Sequence, residues 1–178
     1  MAATFISRLV GAAMLDSATY EDVERDRSAT PQALLVVVLS SLAAGIGARG
    51  TGTQTLHFFA NASIIALMMW AAFALLTFEV GARILPTPET RADVGQLLRT
   101  LGFAATPGLI QVLGVLPGAV VPVFTLAILW ALAASVVAVR QALDYTSTAR
   151  ALAVCGLGLL LALIIAVPLG LLLSRPVY

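Results

Sequence analysis

The sequence contains no lysine, one histidine and one cysteine, and only 11% of its 178 residues are charged. A soluble domain of this length carries roughly a quarter charged residues, because it must wet its whole surface. The shortage therefore excludes an ordinary water-soluble globule. His57 has no neighbouring Cys, His or carboxylate, which excludes the usual zinc ligand sets. Cys155 has no second cysteine to pair with and sits in an apolar run, where it reads as a small packing residue. Strings of the form GxxxxGK[ST] and GxSxG are missing, so neither a P-loop phosphate cradle nor a nucleophile elbow is encoded. No catalytic residue, no cofactor and no metal are expected. A net charge of +1 gives no electrostatic basis for nucleic-acid binding. Every one of the ten basic residues is arginine, which with the abundance of Ala, Leu and Val suits a GC-rich bacterial genome.

What the chain has instead is apolar length: 60% hydrophobic residues and a mean hydropathy of +1.01. About 20 apolar residues in a helix cross a hydrocarbon core of about 30 Å. Five stretches qualify, over 31–47, 58–84, 97–116, 120–139 and 151–173. Helix is the form that satisfies the backbone in lipid, and no barrel-like alternation is present. The expected fold is all-α, an integral membrane bundle of five transmembrane helices over 31–178, preceded by an interfacial and cytoplasmic helical segment over 1–30. Thr30-Pro31 and Thr87-Pro88-Glu89 read as helix starts, and Thr146-Ser147-Thr148 offers hydroxyl caps for the fifth span. Leu116-Pro117-Gly118 reads as a tight hairpin between spans three and four.

The arginines set a direction. Eight lie in the N-terminal tail and in the loops after spans two and four, whereas only Arg49 and Arg175 lie on the other side. The positive-inside bias places the N-terminus in the cytoplasm and the C-terminus outside a cell (plasma or inner) membrane. All nine acidic residues fall on the same inner side. Residues 1–15 lack a basic n-region. Phe5, Ile6, Leu9, Val10, Ala13 and Met14 gather on one helical arc with Thr4, Ser7, Arg8 and Gly11 opposite, so they read as a short interfacial helix, with a cleaved signal as the alternative.

Polar residues at membrane depth are the default functional candidates, because an ionisable group there costs about 2.5–3.5 kcal/mol. Asn61, Glu79 and Gln111 are the set, with Glu79 expected to pair with Arg83 at i,i+4. Ala127, Ala131 and Ser135 in span four, and Gly158, Ala162, Ala166 and Gly170 in span five, recur every four residues. Such faces let helices approach closely; packing of these two spans on each other is expected, and a homo-oligomer is the alternative use. Thr106-Pro107-Gly108 is expected to break span three. Tyr20–Arg27 reads as a charged helix with a Thr19–Asp22 capping box and a Glu21–Arg25 pair.

The segments DSATYEDVERD (16–26), RTLGFAATPGLIQVLGVLP (99–117) and WALAASVVAVRQALDYTSTARAL (130–152) together resemble bacterial members of the Ypt-interacting protein (YIP, Yip-one domain) family. The resemblance covers essentially the whole chain. It implies five spans, a cytosolic N-terminus, and a Gly-aromatic…Pro element in span three, here Gly102, Phe103 and Pro107. Eukaryotic members reside in membranes of the early secretory pathway, bind prenylated Rab-type GTPases and assist vesicle formation. Their DLYGPF-like motif has its counterpart here in Asp16 and Tyr20. The expectation is a non-enzymatic membrane organiser or adaptor. Its partners would be the lipid bilayer and a cytoplasmic protein or lipid headgroups, met through Asp16, Tyr20 and Glu21. The alternative is a small transporter or channel built on the break in span three.

Overall fold

The computed structural model describes residues 4–49, 56–86 and 93–173, with side chains over 4–49, 58–86 and 93–165. Every regular element among them is helical. Two short helices, α1 (Phe5–Ala13) and α2 (Ser17–Arg25), precede α3 (Thr30–Arg49) and α4 (Leu56–Glu79). After them come α5 (Val94–Ala104), a 3-10 stretch (Thr106–Val115), α6 (Val120–Ala142) and α7 (Thr148–Leu173). Five helical segments are long and apolar enough to cross a membrane, and the third of these is α5 joined to the 3-10 stretch.

The packing is that of a membrane bundle. Large aliphatic side chains such as Ile65, Leu126, Leu129 and Ile164 are exposed, while Ala127, Ala134, Ala138, Ala151 and Ala162 are buried. Lipid tails are as apolar as leucine, so helices gain by close van der Waals contact through small residues and leave the large ones to the tails. The larger core side chains, including Tyr20, Val23, Leu97, Leu101, Phe103 and Leu143, gather toward the end of the bundle that carries most of the arginines.

Span three changes helix type where the sequence requires it. Pro107 has no N–H to give the Phe103 carbonyl, and the Thr106 hydroxyl donates to that oxygen at 2.6 Å. The Ser40 hydroxyl on α3 donates to the Ala105 carbonyl at 2.8 Å. Because 3-10 geometry rises about 2.0 Å per residue, the tightened half still spans its share of the bilayer. It also lies very close to α3: a Cβ on Gly47 would stand 1.8 Å from the Gln111 carbonyl oxygen, and one on Gly114 would stand 2.8 Å from that of Gly47. Gly118, at φ +72°, makes the turn into α6 that the Pro117-Gly118 pair predicts.

Several expected helix starts are corrected. Thr30 is already helical (φ −56°, ψ −49°), so it does not cap α3. Asp26 does the capping one turn earlier, accepting from the Ser28 N–H and hydroxyl. Likewise α2 is capped by Asp16, which accepts from the Ala18 and Thr19 N–H groups, so the Thr19–Asp22 box is not formed. Ser147 does cap α7, accepting from the Arg150 N–H. Thr87-Pro88-Glu89 lies outside the described residues.

Candidate functional site

The N-terminal segment folds back on the bundle as a hairpin. Leu15 adopts the left-handed conformation (φ 63°), which reverses the chain after α1, and Asp16 then opens α2. Side chains from the spans grip the hairpin's main chain. The Trp130 indole N–H donates to the Ala13 carbonyl at 2.7 Å, and Gln141 Nε2 to the Ser17 carbonyl at 3.2 Å. Arg99, buried on α5, donates to the Val23 and Glu24 carbonyls at 3.3 and 2.6 Å. These are carbonyls of the last turn of α2, where a cation suits both the unfilled acceptors and the helix dipole.

Arg8 is the centre of the arrangement. Its guanidinium reaches Asp22 at 2.9 Å, Asp26 at 2.6 Å and the Gln32 amide oxygen at 3.1 Å, tying α1, α2 and α3 together. The expected arc placed Arg8 on the polar, outward side of α1; the structure turns it inward, where it is 3% exposed. Burial works against its charge, but the hydrogen bonds to Asp26 and Asp22 prevail and raise its pKa. Asp26 is held at about 2, first by the Ser28 hydroxyl and then by Arg8.

The three candidate contact residues part company. Tyr20 is fully buried; its hydroxyl donates to the Ala12 carbonyl at 3.1 Å, and burial pushes its pKa upward. Asp16 is exposed but occupied in capping, with its pKa lowered chiefly by the Thr19 hydroxyl. Glu21 stays on the surface, paired with Arg25 as expected. With Ala18, Asp22, Arg25 and Asp26, Glu21 lines a shallow cleft of about 310 Å³ on the outward face of α2.

The intramembrane polar residues do not converge. Asn61 is exposed on α4, eighteen residues and thus about 27 Å along the helix from Glu79. Glu79 pairs with Arg83 at 3.0 Å, as the spacing implies. Gln111 is half-buried on the 3-10 stretch against α3. Thr106, Pro107 and Gly108 are buried, and a Cβ on Gly108 would already stand 3.2 Å from that of Ser40, so the break in span three is filled by α3. Gly102 and Phe103 are buried as well; Gly102 faces Ala33, and the Phe103 ring meets Phe5 edge-on at 6.4 Å.

Of the small-residue faces, Ala127, Ser135, Gly158 and Ala162 are buried and Ala131 is half-buried. Gly158 is placed against Thr77 of α4, which corrects the expectation that it packs on α6. Ser135 donates to the Ala131 carbonyl within its own helix. The side chains of Ala166 and Gly170 lie outside the described residues.

Sequence reasoning missed Arg8, Arg99, Trp130 and Tyr145. The last lies in the turn between α6 and α7 and reaches a π-helical turn, Val80–Ile84, that closes α4. Its hydroxyl lies 2.9 Å from both the Gly81 and the Leu85 carbonyl oxygens, and its one proton is shared between these two acceptors at the wide turn. The signal for Arg8 was an i,i+4 pair of acids, Asp22 and Asp26, on one side of α2; nothing in the spacing linked them to a residue fourteen positions earlier.

No curated protein and no solved structure matches the chain. The family model for the Yip1 domain matches residues 13–168, taking in the hairpin turn, α2 and the five spans. The protein is a multi-pass membrane protein of the Yip1 domain family.

Proposed function

We propose that the protein is a non-catalytic membrane adaptor that presents the outward face of α2 to a basic segment of a cytoplasmic protein. The observation that carries this reading is the way α2 is held. Tyr20, Val23 and Arg99 fix it from behind, so Glu21, Asp22, Arg25 and Asp26 surround the cleft on a rigid support. A pre-ordered charged face loses little conformational entropy on binding. Three carboxylates stand against two arginines, Arg25 at the surface and Arg8 buried behind Asp22 and Asp26. The one negative charge left over favours a cationic partner, and rim charges of this kind steer encounter more than they add affinity. The orientation that goes with this reading has the N-terminus in the cytoplasm, following the arginine bias. On the same side Arg27, Arg140 and Arg150 are exposed near span ends, where lipid phosphates would meet them.

The test is recovery of a stoichiometric partner from native nanodiscs, comparing the natural chain with Glu21→Lys and Ala18→Arg. Both substitutions lie on the outward face and leave Tyr20 in place, so the variants should keep their thermal stability and lose the partner. Unchanged recovery from stably folded variants would remove α2 from consideration as the docking face.

A further inference from the structure

Helix α1 has one apolar stripe that no element among the described residues covers. Ile6, Val10 and Met14, at i, i+4 and i+8, are 64%, 53% and 74% exposed, while Phe5, Arg8, Leu9 and Ala12 turn toward the bundle. The depth of α1 identifies what meets the stripe. At its start, Phe5 contacts Phe103, nine residues and about 14 Å beyond the first residue of α5. At its end, the Ala13 carbonyl is held by Trp130, twelve residues and about 18 Å before the last residue of α6. Both anchoring residues lie below the arginine-rich ends of their spans, while Gln141, next to the last residue of α6, holds the Ser17 carbonyl just past the turn. So α1 lies between the headgroup level and the middle of a hydrocarbon core about 30 Å thick. Near Trp130 in α6, Leu126 and Leu129 are large aliphatic side chains that are themselves exposed, as on a helix that meets lipid.

A charge on such a helix would ordinarily keep it in the headgroup layer. Arg8 is the one charged residue described in α1, and it is withdrawn to the bundle side and neutralised by Asp22 and Asp26. What remains outward is Ile6, Val10 and Met14 with Ser7 at the edge, whose hydroxyl donates to the Thr4 carbonyl. We infer that α1 is inserted in one leaflet, with Ile6, Val10 and Met14 against the acyl chains and the Arg8–Asp22–Asp26 cluster acting as the internal counter-charge that permits it. The helix is then a half-depth membrane element fixed to spans three and four. Only α2 and the loop ends stand in water on that side. The inference is independent of the adaptor reading, which concerns the opposite face of the hairpin.

Nitroxide labels at Val10→Cys, Met14→Cys and Arg25→Cys, each in a Cys155→Ala chain reconstituted in phosphatidylcholine vesicles, decide the matter. These positions are exposed, so labelling does not disturb the core. Val10 and Met14 labels should relax readily with oxygen and show several-fold lower accessibility to a water-soluble nickel chelate than the Arg25 label. Equal nickel accessibility at Val10 and Arg25 would place α1 in water and overturn the inference. Protection of Val10 and Met14 from both reagents would show cover by protein, such as a second copy of the chain, and would overturn it equally.

Discussion

Arg8 Nη2 lies 2.6 Å from Asp26 Oδ2, and this ion pair joins the first helix of the chain to the turn that starts the first membrane span. It is one arm of a fork whose other arm ends on Asp22. Because Asp26 also accepts from Ser28, the same carboxylate both caps the 3-10 turn before α3 and holds α1 in place. Pulling on the hairpin therefore pulls on the entry to span one.

That double use gives the hairpin a defined acid limit. Asp26 is depressed from its ordinary 3.8 to about 2, so its contribution is complete above the unfolded value and drains away as pH falls from about 4 to about 2. Trp130 touches Ala13 and reports the docking of α1. In a Trp70→Phe chain, the Trp130 emission should hold steady from neutral pH to about 4 and shift between about 4 and 2. An Asp26→Asn chain should lack that step; the same step in the variant would assign it to other carboxylates.

A second expectation concerns how closely spans one and three approach. Gly47→Ala would put a Cβ 1.8 Å from a backbone oxygen of Gln111, and no side-chain rotation relieves that contact. Overpacking usually costs about 1–3 kcal/mol, and a backbone collision belongs at or above the top of that range. Gly156, by contrast, is exposed within α7 with open space around its Cα. Gly156→Ala should be neutral or stabilising by up to about 1 kcal/mol. Denaturation in mixed micelles measures both, and a mild Gly47→Ala would mean that the 3-10 stretch does not sit where it is described.

The contrast between these glycines bears on what could be read from the chain alone. The five spans were legible because lipid leaves helices little freedom: about 20 apolar residues between polar ends have one way to cross. The Glu79–Arg83 and Glu21–Arg25 pairs were legible because i,i+4 geometry is local. Pro107 announced a change of helix, since a missing N–H acts within one turn. Tyr20 was misread because its neighbours in sequence are charged, whereas its burial is decided by α1 folding back over it. Asp16 and Asp26 took the capping roles assigned to Thr19 and Thr30 because the hairpin places the helix starts, and threonine had no independent hold on either. Gly158 was matched to the wrong neighbour for the same reason. Spacing shows that a face is small without showing which helix lies across from it.

The π turn at the end of α4 should depend on Tyr145. Its hydroxyl is the donor available to the Gly81 and Leu85 carbonyls, and loss of one such buried bond costs about 1 kcal/mol. Tyr145→Phe keeps the ring, and with it the Arg150 guanidinium 6.0 Å from the ring centre. Hydrogen exchange of the amides over 80–85 should accelerate in this variant while α6 is unaffected. Unchanged exchange there would show that the turn is held by packing, with Gly81 against Leu143 carrying it.

The contact between α4 and α7 yields the last expectation, because Thr77 is fully buried beside Gly158 with no hydrogen-bond partner for its hydroxyl oxygen. An unpaired buried hydroxyl is unfavourable, so Thr77→Val, which keeps the shape and removes the polar atom, should be neutral or stabilising by about 1 kcal/mol. Gly158→Ala has the opposite sign, since its Cβ would stand 2.4 Å from that hydroxyl oxygen. The two substitutions are coupled. Combined with Thr77→Ala, which vacates the space, Gly158→Ala should recover most of its loss, though Thr77 backbone atoms at 3.2 Å keep the fit tight. A double-mutant cycle in detergent separates the cases. A coupling energy near zero would mean that α7 meets α4 through other residues, and that the small-residue face of span five lies elsewhere.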